Sequence, residues 1–122
     1  MDSIRMTQQE RNIEIALMLG WRKYEGLNPK FNNTFETKGN GKIFNLCVDV
    51  LLFHSDWKWL MEAVEFVKKI AGISMVTGPT KGAACAIHLD NLESISGQAD
   101  TLEEATFMAI SDFAKKFNKK EI

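Results

Sequence analysis

The sequence predicts an α+β fold, with three helices and a largely antiparallel sheet of about four strands. Three observations lead there. Apolar residues recur at helical spacing behind capping signals at Thr7, Ser55 and Thr101. Between those segments lie short runs of strand composition, divided by turn chemistry at Asn28-Pro29, Asn32-Asn33, Gly39-Asn40-Gly41 and Gly78-Pro79-Thr80-Lys81-Gly82. The chain has 122 residues, 45% of them apolar, enough to close one core without a metal or disulfide staple. The expected order is helix, one or two strands, helix, two or three strands, helix, in a single domain spanning 1–122 whose ends, 1–6 and 119–122, are flexible.

The first helix begins at Thr7, whose hydroxyl can cap a backbone N–H while Glu10 reaches back to the free donor at the cap. Ile13, Ala16, Leu17 and Leu19 supply an apolar side, Arg11, Asn12 and Glu14 a polar one, and Gly20 a left-handed stop. Trp21 follows as a lid over the last turn. From Arg22 to Gly41 the pattern weakens, leaving room for one short edge strand near Thr34–Lys38 and a hairpin turn at Gly39-Asn40-Gly41.

Lys42 to Phe53 is almost continuously apolar, as a strand covered on both faces would be. Asp49 interrupts it and is expected at a sheet edge, because a buried unpaired carboxylate is costly. The run then enters HSDWKWLM, residues 54–61. Ser55 is placed as the N-cap, Asp56 as the first helical residue facing the positive end of the dipole, and His54 as a staple against Trp59. A helix through Ala71 sets Trp57, Leu60, Met61, Val64, Val67 and Ala71 on one stripe. Trp59 is about 200° around the helix from Trp57 and heads a second stripe with Ala63, Phe66 and Ile70. These four residues are the candidate interaction surface, on the reasoning that an apolar face beyond the core's needs seeks a partner, most simply a second copy.

In the second half, Ile73–Thr77 and Ala83–Leu89 alternate as strands, with Ala84, Ala86 and His88 on one face and Cys85, Ile87 and Leu89 on the other. A further strand is expected near Glu93–Ser96. Thr101 and Glu104 open the last helix, Leu102 to about Asn118, buried through Leu102, Ala105, Ala109, Phe113 and Phe117.

Charge is balanced, 15 basic against 16 acidic residues, so nothing global favours nucleic acid or an anionic membrane. No apolar run approaches the roughly 20 residues of a spanning helix, and the N-terminal residues do not read as a signal peptide, so the expected location is the cytoplasm. Cys47 and Cys85 lie in strand-like runs and read as small buried hydrophobes. Cys47, His54, Cys85 and His88 lack metal-site spacing, and no cofactor motif is present. The remaining ligand-site candidates are His54, Asp56 and His88. Catalysis would need His54 or His88 to meet Asp49 or Asp56, and no nucleophile is defined.

Together "RNIEIALMLGW", "LLFHSDWKWLMEAVEFVKKI", "ACAIHL" and "LEEATFMAISDFAKKFNK" resemble the phage ABA sandwich domain, a group of small phage and prophage proteins. The His-Ser-Asp-Trp-x-Trp-Leu-Met run is the most specific part, and Glu62 stands where many relatives have proline. The resemblance implies an α and β sandwich and brings neither an activity nor catalytic residues. The functional expectation is a non-enzymatic phage or prophage accessory protein in the bacterial host cytoplasm, binding a host or phage protein and forming a homodimer. The alternative is a counter-defence protein that sequesters a nucleotide signal, which would call for Lys38, Lys42, Lys58 and Lys81 around one pocket.

Overall fold

A computed structural model of the chain describes residues 6–23, 34–39, 42–47, 51, 53–77, 82–89 and 93–120. It is α+β, with three helices and antiparallel sheet. Helix α1, Gln8–Met18, starts at the expected capping box: Thr7 Oγ1 accepts from Glu10 N at 3.1 Å, and Thr7 N donates to Glu10 Oε1 at 2.7 Å. The bonds from the Thr7 backbone and hydroxyl hold the Glu10 carboxyl below its usual range. At the other end Gly20 adopts φ +91°, its N–H donates to Leu17 O, and Trp21 N–H donates to Ala16 O. That pair of bonds is a Schellman motif, which needs the left-handed residue glycine supplies.

The buried side of α1 is rotated from the expected one. Asn12, Ile15, Ala16 and Met18 are buried, whereas Leu17 is exposed. Two apolar stripes fit this short helix, and the choice falls to the one that lets Arg11 and Asn12 bond to other elements.

Helix α2, Trp57–Lys68, is capped by Asp56 rather than Ser55: the Asp56 carboxylate accepts from Lys58 N at 2.8 Å. Ser55 belongs to the turn at 53–55, and a carboxylate is the stronger acceptor at the positive end of a helix. The helix also stops three residues short of Ala71. The N–H groups of Lys69, Ile70 and Ala71 fold back onto Phe66 O and Val67 O. Leu60, Val64 and Val67 are buried as expected. Helix α3, Leu102–Asn118, matches its expected range, with Thr101 Oγ1 accepting from Glu104 N.

The strands form two three-stranded antiparallel sheets instead of one sheet of about four. Strands β1 (Arg22–Lys23), β2 (Thr34–Gly39) and β3 (Lys42–Cys47) pair in order; the register Gly39↔Lys42 is the one a two-residue Asn-Gly link favours. The expected long strand from Lys42 thus ends at Cys47 among the described residues, and Phe53 is a buried turn residue. Asp49 lies outside the described residues. The other sheet is β4 (Gly72–Thr77), β5 (Ala83–His88) and β6 (Ser94–Ala99), with Ile73↔Ile87↔Ile95 and Met75↔Cys85↔Gly97 in register. These two rows, with Ala83, point toward α3. The last strand begins one residue later than expected and runs three residues further.

Helix α3 is the centre of the molecule, packed on β5 and β6 and against α1. Ala105, Ala109, Ile110, Phe113 and Ala114 have no exposed surface. Its approach to β6 is unusually close at Gly97, where a Cβ would meet the Ala105 carbonyl oxygen and come within 2.9 Å of Ala109 N and Met108 Cβ. Only glycine fits between a strand and helix backbone at that distance.

The two glycines separate space from conformation. Gly20→Ala, which has nothing within 4 Å of the added carbon, should lower unfolding free energy by about 1 kcal/mol through its φ alone. Gly97→Ala, with φ unrestricted but no room, should cost about 3 kcal/mol. Urea unfolding of the two variants measures the difference, and equal costs would contradict the close packing.

Candidate functional site

The second stripe of α2 is partly covered by its own chain. Trp59 sits in an aromatic cluster, its ring centroid 5.3 Å from Phe53 and 5.9 Å from Trp21, and Trp21 is itself 5.5 Å from Phe53. Ala63 has no exposed surface, and Phe66 packs edge-on against Phe117 at 5.5 Å. Only Ile70, 40% exposed, remains outward. In the Trp59, Ala63, Phe66 and Ile70 stripe, Ala63 is core, Trp59 and Phe66 are partly buried against Trp21, Phe53 and Phe117, and Ile70 is exposed. His54 does not staple Trp59; its ring lies 6.1 Å from Phe107.

The three polar candidates stand apart in function. Asp56 is occupied as a helix cap, and no hydrogen bond among the described residues joins it to either histidine. His88 is exposed on the uncovered face of β4–β5–β6, where Nε2 is 3.0 Å from the Ser74 hydroxyl. That face carries Ser74, Val76, Ala84, Ala86, Ser96 and Gln98, a surface of small uncharged side chains. Lys58 is exposed on α2 and lines neither described pocket. The side chains of Lys38, Lys42 and Lys81 lie outside the described residues.

His54 is the candidate with a built environment. It borders a cavity of about 380 Å³, with Met6, Gln8 and Arg11 from the start of α1 and Glu104, Phe107 and Met108 from the first turns of α3. Behind it, Asn12 Nδ2 donates to Leu51 O at 3.3 Å and lies 3.0 Å from His54 Nδ1. Asn12 is 3% exposed, and its Oδ1 has no hydrogen-bond partner among the described residues, a cost of about 1–3 kcal/mol. Arg11 Nη1 reaches Ser111 Oγ at 2.6 Å, Asp112 Oδ1 at 2.8 Å and Met108 O at 3.2 Å, fastening α1 to α3. Asn118 Nδ2, donating to Glu14 O and Oε1 at 2.9 Å each, makes a second fastening.

Arg11, Asn12 and Glu104 were not distinguishable as site residues from their spacing. Arg11 and Asn12 sit on the side of α1 that reads as solvated, and Glu104 reads as half of a capping box. The available signal was a pair of opposite charges, Arg11 and Asp112, on two amphipathic helices, and nothing in one sequence pairs them.

Cys85 is fully buried beneath α3. Burial pushes its thiol up, and the neighbouring Thr106 hydroxyl offsets part of that. Thr106 Oγ1, also buried, makes no hydrogen bond of good geometry among the described residues, so the offset is small. The side chain of Cys47 is outside the described residues. Groups of three or more metal-ligating side chains are absent among the described residues, and no described helix is long and apolar enough to cross a membrane. Comparison of the chain with protein-family models, with curated proteins and with solved structures finds no match.

Two outcomes follow from this packing. Trp59→Ala should lower unfolding free energy by about 3 kcal/mol and leave the solution mass unchanged, because the ring supports the chain's own aromatic cluster. Cys85 should resist alkylation until the protein unfolds, as peptide mapping after iodoacetamide treatment would record. A raised thiol favours the protonated, folded form, so this contribution is complete below the ordinary thiol range and is lost as pH climbs from that range through the raised value of the folded state.

Proposed function

We propose that the chain is a non-enzymatic accessory protein of the phage ABA sandwich type. In this reading it works in the host cytoplasm as a homodimer and presents a joint surface to a host or phage protein. The edge of strand β6 carries the proposal. Ser94, Ile95, Ser96, Gly97, Gln98 and Ala99 contain no charge and no proline, and among the described residues β6 pairs only with β5. Free edges of that length are ordinarily blunted by lysine, proline or a bulge, since unpaired N–H and C=O groups recruit another strand.

A second copy is the occupant that this edge fits. An antiparallel two-fold pairing of β6 with β6 places no charges opposite one another and continues the sheet across the axis. A strand edge alone is small beside the roughly 800 Å² per partner of a standard interface. The flank of α3 next to β6, brought close by Gly97, supplies further area in the same pairing. The sandwich arrangement would then extend over both copies, with helices layered on one continuous sheet. The occupied state of Asp56 and the separate settings of His54 and His88 favour binding over catalysis.

Light scattering should give a dimer for the wild-type chain. Ser96→Lys, on an exposed site at the middle of β6, should give a monomer with thermal unfolding changed by no more than about 0.5 kcal/mol. A wild-type monomer at about 1 mM, or an undiminished dimer in the lysine variant, removes the reading.

A further inference from the structure

We propose that the cavity beside His54 binds a small zwitterion, an α-amino acid with an apolar side chain. The site shares no residue with the β6 edge, so it stands or falls separately from the dimer.

The chemistry starts at Asn12. Its Nδ2 faces Leu51 O, an atom that only accepts, so the amide nitrogen, and not the oxygen, points that way. The same nitrogen lies 3.0 Å from His54 Nδ1, which must therefore accept. The hydrogen of the neutral imidazole is then on Nε2, for which the described residues offer no acceptor. An apolar residue at position 12 would fill the core without stranding Oδ1. The buried amide instead fixes the ring's tautomer, and Phe107 fixes its tilt through an edge contact at 6.1 Å.

Arg11 adds donors. Its Nη1 is taken by three acceptors on α3, while Nε and Nη2 have no hydrogen-bond partner among the described residues. These donors and His54 Nε2–H suit a carboxylate. Glu104 lines the same cavity, and its carboxylate also has no partner among the described residues. It shares a face of α3 with Phe107 and Met108, at spacings of three and four. An ammonium against Glu104 and an apolar side chain over Phe107, Met108 and Met6 complete the match.

Charge disfavours a polyanion. Asp112, 2.8 Å from Arg11, neutralises its cation, and Glu104 leaves the cavity acidic on balance. A nucleotide's phosphates would face that carboxylate with no unpaired cation lining the described walls. About 380 Å³ is at the low end of ligand cavities and has room for an amino acid.

The protein has two histidines, so its imidazole NMR spectrum carries an internal control. L-phenylalanine and L-leucine should shift His54 and leave His88, on the far face of the sheet, in place. Phenethylamine and 3-phenylpropanoate, each lacking one charge, should bind at least about tenfold more weakly. Glu104→Gln, at an exposed position that keeps the Thr101 cap, should weaken L-phenylalanine about tenfold and leave 3-phenylpropanoate unchanged. No shift of His54 at about 10 mM amino acid overturns the proposal, as does equal binding by the single-charge analogues or a shift by ATP in their stead.

Discussion

The contact on which the rest depends is the approach of α3 to β6 at Gly97. There a helix backbone and a strand backbone meet with no side chain between them, so the separation is set by main-chain atoms that do not yield. Once α3 is seated, Ala105 and Ala109 bring Cys85 and Ile87 under cover, and the helix's opposite side is free to receive α1. The small side chains of Ala105 and Ala109, one turn apart on the face toward β6, are what permit this depth. Larger residues there would lift α3 off the sheet and draw Arg11 and Asn118 out of reach of their partners on the adjoining helix.

Local chemistry was legible where one or two neighbouring residues decide the outcome. The Thr7–Glu10 box, the Gly20 stop, the alternation through Ala83–His88 and the range of α3 were all readable for that reason. Errors came where two local solutions are nearly equal in energy and tertiary contacts choose between them. Ser55 and Asp56 are both good caps; Leu17 and Ile15 both head plausible apolar stripes of α1. Strand pairing was less legible still. Nothing in the composition of Lys42–Cys47 says that it joins β2 in a separate sheet and not the sheet of β4, β5 and β6, because pairing is set by distant partners.

The tryptophans illustrate a different limit. Helical geometry does aim Trp57 and Trp59 in different directions, and that part of the reading is sound. What spacing omits is the rest of the chain: Trp21 and Phe53, both earlier in the sequence, pack against Trp59. A leftover apolar stripe on one helix is therefore evidence for a covering layer, with no information about whether that layer is the same chain or another. The uncharged β6 edge bears on the second possibility more directly, because among the described residues its outer backbone groups pair with no other strand.

The same turn of α3 serves both the Gly97 contact and the cavity. Ala105, Met108 and Ala109 crowd Gly97, while Glu104, Phe107 and Met108 line the space beside His54. A wall held by main-chain contact cannot retreat to admit a ligand, so on this side the cavity has a fixed shape. His54 is fixed as well, between Asn12 and Phe107, and Arg11 is held by three acceptors on α3. The donors are thus set in place before anything binds, and the ordering cost falls on the ligand and on the side chains of Glu104, Gln8 and Met6. That division favours a small ligand with few rotors, whose carboxylate meets donors already in place while the Glu104 side chain adjusts to its ammonium.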